Sequence, residues 1–74
     1  MHINDEIQPL DVVALAVDLP DRGLTRGQMG TVVETLAPHV YEVEFSDDEG
    51  QTYASLAVPA EQLIVLHFRP VKAA

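Results

Sequence analysis

The sequence has no cysteine and no tryptophan, and only four of its 74 residues are lysine or arginine. Without cysteine there is no disulfide framework, no thiolate nucleophile and no thiolate metal site. Small secreted domains usually rely on disulfide staples, so a reducing, cytoplasmic setting is expected. The scarcity of cations excludes more. Phosphate neutralisation by lysine and arginine supplies most non-specific nucleic-acid affinity. Arg22, Arg26, Arg69 and Lys72 are too few and too scattered to form that footprint. Anionic membrane surfaces are disfavoured on the same ground. The longest apolar run, Val12 to Val17, is six residues, far short of a membrane span. The opening Met1-His2-Ile3-Asn4-Asp5-Glu6 is acidic, without the basic start and apolar stretch of a signal peptide.

What is present is apolar and acidic. Hydrophobic residues make up 47% of the chain, which argues for a packed domain rather than disorder, even with a net charge of −8. The length allows one small domain over residues 1–74, with a core at about 10–68. Val13, Leu15 and Val17 share a face at period two, which predicts a first strand over 11–17. A loop follows at 18–26, where Pro20-Asp21 starts a turn and Leu19 and Leu24 are expected to tuck inward. Gly27-Gln28-Met29-Gly30 leads into the β-branched Thr31-Val32-Val33. It reads as a turn delivering the chain into a second strand over 29–36, with glycine where a side chain would clash or φ is positive. Either Gly30/Val32/Leu36 or Met29/Val33 forms the inner face of that strand, and a glycine bulge would switch between them.

The third strand, 40–46, alternates Tyr41, Val43 and Phe45 with Glu42 and Glu44. Asp47-Asp48-Glu49-Gly50 closes a hairpin onto a fourth strand at 51–58. One helical turn at 59–62 precedes a fifth strand at 63–68. Ile7 or Leu10 is expected to cover one end of the core. This pattern predicts an all-β fold, a small five-stranded SH3-like barrel with one short helical turn before the last strand.

No catalytic constellation emerges. His2, His39 and His67 have no ligand spacing, and Ser46, Ser55 and Thr25 have no adjacent base or nucleophile elbow. Neither enzyme activity, a cofactor nor a metal is expected. The acidic stretch Glu42, Glu44, Asp47, Asp48 and Glu49 reads either as a solvated strand face with a polar turn or as a docking face for a basic protein. It lacks the alternating ligand spacing and closing glutamate of a calcium loop. In the 18–26 loop, Asp21, Arg22 and Arg26 are candidate protein-binding residues, and local pairing of the arginines with Asp18 and Asp21 is the competing reading. Leu63-Ile64-Val65-Leu66-His67-Phe68 is apolar at all positions but one. A strand apolar on both faces requires cover on both. A homodimer or larger assembly is therefore expected, with Val12, Ala14, Ile64, Leu66 and Phe68 at its interface and Ala16 beside them.

The segments Leu10-Asp11-Val12-Val13-Ala14-Leu15, Asp18-Leu19-Pro20, Gly23-Leu24 and Gly30-Thr31-Val32-Val33 together resemble a bacterial family catalogued as domain of unknown function 4926. Tyr41-Glu42-Val43-Glu44-Phe45, Gly50-Gln51-Thr52 and Pro59-Ala60-Glu61-Gln62-Leu63 continue the resemblance, over roughly residues 7 to 67. The glycine step and the Tyr-Glu-Val-Glu-Phe strand are also similar to SH3-like barrels, among them that of the nitrile hydratase β subunit and the KOW modules. The family resemblance implies a compact stand-alone domain and carries no catalytic residues. The expected function is a non-enzymatic protein-interaction module of antitoxin, immunity or accessory type. The alternatives are a KOW-like RNA- or ribosome-associated module and a small subunit or scaffold of a larger enzyme assembly.

Overall fold

The computed structural model describes residues 7–67. Five strands follow in order: β1 (Val12–Leu15), β2 (Met29–Ala37), β3 (Val40–Ser46), β4 (Thr52–Pro59) and β5 (Leu63–Val65). Single 3₁₀ turns at Pro20–Arg22 and Ala60–Gln62 interrupt them. All pairings are antiparallel and form one sheet in the order β4-β3-β2-β1-β5. The all-β, five-stranded expectation holds, and the helical turn sits just before β5. Closure into a barrel does not occur: among the described residues no ladder joins β4 to β5. β5 is only three residues long, and its ladder is spent on Val13, Ala14 and Leu15 of β1.

The inner face follows from period-two alternation. Val13 and Leu15, Val32, Tyr41, Val43 and Phe45, Val58 and Leu63 converge on a core with Ile7 and Leu24. Burying such a side chain stabilises by about 1.5–3 kcal/mol, so β3, which contributes three, is central to the domain. Of the two lead-in candidates, Ile7 is buried. Leu10 is 80% exposed, held at φ 77 where its N–H donates to the Val32 carbonyl.

Two strand ends differ from expectation, and the inner face of β2 is decided. β1 stops at Leu15, although one further bond, from Ala16 N–H to the Gln62 carbonyl (2.8 Å), keeps the β1–β5 register; Gln62 itself belongs to the 3₁₀ turn. β5 stops at Val65, with one further bond from Leu66 N–H to the Val12 carbonyl (2.9 Å); Phe68 lies outside the described residues. In β2, Gly30 and Val32 face inward and Met29 outward. The register shifts fall after Val32 and after Thr35, not at a glycine. Each inserts one extra residue, Val33 and Leu36, and both are left exposed.

Candidate functional site

The loop between β1 and β2 is a small structured hairpin. Leu19 and Leu24 exchange backbone bonds of 2.9 and 3.1 Å, and Leu24 is buried while Leu19 packs on the core. The Asp18 carboxylate accepts the Arg26 backbone N–H at 2.8 Å. Its local role is thus to close the loop through the main chain. Asp21, Arg22 and Arg26 are exposed on the outside of that loop.

The loop hands over to β2 through Gly27 and Gln28. Gly27 sits at φ 95 and donates to the Leu15 carbonyl at 2.8 Å, a left-handed conformation that side chains adopt only at a cost. Gln28 is held on all sides. Its carbonyl accepts Leu15 N–H, its Oε1 accepts Thr25 N–H, and its Nε2 donates to the Tyr53 hydroxyl at 2.7 Å. This last bond ties the loop to β4 across twenty-five positions of sequence. Gly30 then allows the close approach of β2 to β3. A Cβ there would lie 2.7 Å from Val43 Cγ1 and 2.8 Å from the Glu44 carbonyl oxygen.

The outer face of the sheet is built in rows, since ladder partners place their side chains on the same side. Ile64, Ala14 and Met29 are consecutive partners across β5, β1 and β2. Val12, Thr31, Glu44 and Ser55 form the next row, and Glu34, Glu42 and Ala57 the third. The face thus changes from apolar to acidic across its width. Glu34 and Glu42 are directly opposed carboxylates, an arrangement that destabilises a sheet. One oxygen of Glu42 accepts a bond from the Ser55 hydroxyl at 2.8 Å.

The acidic hairpin borders the apolar row. Asp47 Oδ1 accepts the N–H groups of Glu49 and Gln51 at 2.9 and 3.0 Å, and Gly50, at φ 82, closes the turn. Asp47 is therefore a turn-forming residue. The carboxylates of Asp48 and Glu49 take no part in closing the turn and extend into solvent. Between the hairpin and the Gly27–Met29 segment lies an open groove of about 790 Å³, lined by Gln28, Met29, Ser46, Asp47, Asp48, Glu49 and Tyr53. Met29 and Tyr53 are 52% and 49% exposed within it.

The structure thus brings Asp47, Asp48 and Glu49 to one groove and places Glu42 and Glu44 on the adjoining sheet face. Asp21 and Arg22 are not among the groove-lining residues. Of the proposed oligomer contacts, Ile64 is 53% exposed, Val12 and Leu66 are half-buried, and Ala14 is buried. Sequence reasoning missed Gln28, Met29, Tyr53 and Glu34. Period-two alternation gives no signal for Tyr53, which is the extra residue of β4 where the β3–β4 register shifts between Phe45 and Ser46. Among the described residues no polar or charged side chain is buried. No three histidine or acidic side chains among them are grouped to hold a metal. No helix among them is long and apolar enough to cross a membrane.

Over residues 10–65 the chain matches a family described as Domain of unknown function (DUF4926). No curated protein and no solved structure matches it. The matched span takes in all five strands, both 3₁₀ turns and the groove between loop and hairpin, and the chain belongs to the DUF4926 family.

Proposed function

We propose that this protein is a non-enzymatic interaction module that docks, through the outer face of its sheet, on a basic partner protein. The observation that carries the reading is the placement of acid. Glu34, Glu42 and Glu44 share the outer face, two of them directly opposed, and Asp48 and Glu49 stand at its border. A fold gains nothing from opposed carboxylates, whereas a partner's cations would relieve the repulsion and be drawn in by the field of a chain with net charge −8. The partner role of accessory or immunity type fits this arrangement, because such a module works by covering a surface. RNA binding is the weaker reading, since the described cations, Arg22 and Arg26, are both on one loop.

The test is affinity capture from an extract of the source organism at low and high salt, followed by reconstitution of the purified pair. The expected result is a basic protein retained at low salt, forming a defined complex that weakens when Glu42 and Glu44 are replaced by glutamine. Retention of neutral or acidic proteins only, or of RNA alone, would overturn the reading.

A further inference from the structure

We infer that the groove between Tyr53, Met29 and the 47–49 hairpin is the seat for an arginine side chain of the partner, entered by an extended segment. This rests on the interaction reading above and specifies its contact. The groove offers the two components that a guanidinium takes together: an aromatic face and carboxylates. The Tyr53 ring is half exposed, and its hydroxyl is fixed by the bond from Gln28 Nε2, which orients the ring before anything binds. Gln28 is itself held by the Thr25 N–H and by Leu15, so the ring is tied to the sheet rather than to a loose loop. Met29 supplies an apolar, polarisable floor beside it, continuous with Ala14 and Ile64. Asp48 and Glu49 form the rim, and Asp47, occupied by the turn, holds them in place. None of the lining residues is cationic.

The charge of the chain selects the occupant. A second copy seated here would bring a second net charge of −8 against the same acidic border. A foreign basic segment meets attraction there instead. The groove is open along one side, which suits a side chain with its flanking backbone rather than an enclosed small molecule. Arginine is favoured over lysine because its planar head stacks on the ring while its fork reaches a carboxylate.

The experiment is an NMR titration of the whole protein with the synthetic peptide acetyl-Ser-Arg-Leu-Arg-Ser-amide, beside the same peptide carrying citrulline for both arginines. Saturable shifts of the Tyr53 ring, the Gln28 side-chain amide and the Met29 methyl are expected, with the citrulline peptide binding roughly tenfold more weakly or not at all. Tyr53→Leu keeps apolar bulk but removes the π face and is expected to weaken binding about three- to tenfold. The pair Asp48→Asn and Glu49→Gln acts in the same direction, whereas Glu61→Gln, exposed on the 3₁₀ turn before β5 and not part of the groove lining, leaves binding within about twofold. The Gln28 backbone shifts report whether a Tyr53 variant retains the fold, and Met29→Ala is the second probe of the seat. Equal binding of the citrulline peptide, absence of saturable shifts, or shifts centred on Glu42 and Glu44 would overturn the assignment. So would groove shifts that grow with protein concentration in the absence of peptide, which would make a second copy the occupant. A basic partner captured through Glu42 and Glu44 with the groove silent would overturn the groove alone; no basic partner at all would overturn the interaction reading.

Discussion

Replacing Gly30 with alanine is expected to destabilise the protein by about 2–3 kcal/mol, near the upper end of the usual range for core overpacking. Two effects compete. Alanine restricts the unfolded chain more than glycine does, and where the native backbone tolerates it this alone stabilises by about 0.4–1 kcal/mol. Gly30 does not occupy the left-handed region, so its backbone would accept alanine. Space decides the sign. The added methyl would meet Val43 Cγ1 at 2.7 Å, the Glu44 carbonyl oxygen at 2.8 Å and Phe45 Cδ1 at 2.9 Å. Val43 and Phe45 are fully buried, so neither can swing away without disturbing the core. The carbonyl belongs to β3 and moves only with that strand.

For a domain of this size, about 4–8 °C of Tm accompanies each kcal/mol, so a fall of roughly 10–20 °C is expected. Urea unfolding followed by circular dichroism and tyrosine fluorescence measures it, since there is no tryptophan. The double variant with Val43→Ala removes one of the three clashes. Val43→Ala should therefore cost less in the Gly30→Ala background than in the natural protein, a non-additivity of about 0.5 kcal/mol or more. Gly27→Ala is the control, because its Cβ would meet nothing within 4 Å and only the backbone at φ 95 is strained. Its cost should stay near 1–2 kcal/mol. An unchanged or raised midpoint for Gly30→Ala would refute the close approach of β2 and β3.

Three further outcomes follow from single contacts. Asp47→Ala removes the acceptor of two backbone N–H groups in the hairpin and should lower stability by about 1–2 kcal/mol in urea unfolding, with asparagine recovering most of it; equal losses for both variants would show that charge, not turn geometry, is at stake. Leu10→Asn relieves a left-handed leucine that is 80% exposed and should raise the thermal midpoint slightly, by about 0.5–1 kcal/mol of stability; a fall would mean that Leu10 is held by packing. Glu34→Lys converts the opposed Glu34–Glu42 pair into one of opposite charge. It should stabilise by about 0.2–1 kcal/mol at low salt, with the gain shrinking as salt is added; a gain indifferent to salt would remove the electrostatic explanation.

The strand plan was legible because period-two burial leaves a plain mark where one face is wet. Tyr41-Glu42-Val43-Glu44-Phe45 shows it best, and β3 runs over Val40–Ser46 as expected. The mark fails where both faces are apolar. Residues 63–68 were expected to be one continuous strand, yet the ladder covers only Leu63–Val65, with Ile64 exposed. Bulges were equally hard to place. Glycine was the expected position, whereas Val33 and Leu36 in β2 and Tyr53 in β4 are the extra residues, and nothing in their chemistry distinguishes them from strand residues. The groove was half legible. Its acids stood out as a run, but its aromatic and thioether walls come from residues 24 positions apart, Met29 and Tyr53, joined only once Gln28 spans the gap. Pairings of that range are set by register rather than by local sequence.

The distribution of charge separates what the fold requires from what it merely tolerates. Asp47 and Asp18 are used: each closes a turn by accepting main-chain N–H groups. Asp11 does the same for Gln8 at 2.9 Å. These acids would be selected in any protein with these turns. Glu34, Glu44, Asp48 and Glu49 close no turn, and Glu34 opposes Glu42 on the same face. In a domain that buries only about 60% of its unfolded surface, repulsion of that kind, about 0.2–1 kcal/mol for an opposed pair, is a small cost set against a narrow stability margin. An acidic face that is mildly unfavourable alone becomes favourable once counter-charge arrives, which raises both the rate and the selectivity of association. On the proposed reading, a basic surface would supply that counter-charge, with Tyr53 and Met29 offering the apolar contact that charge alone does not provide.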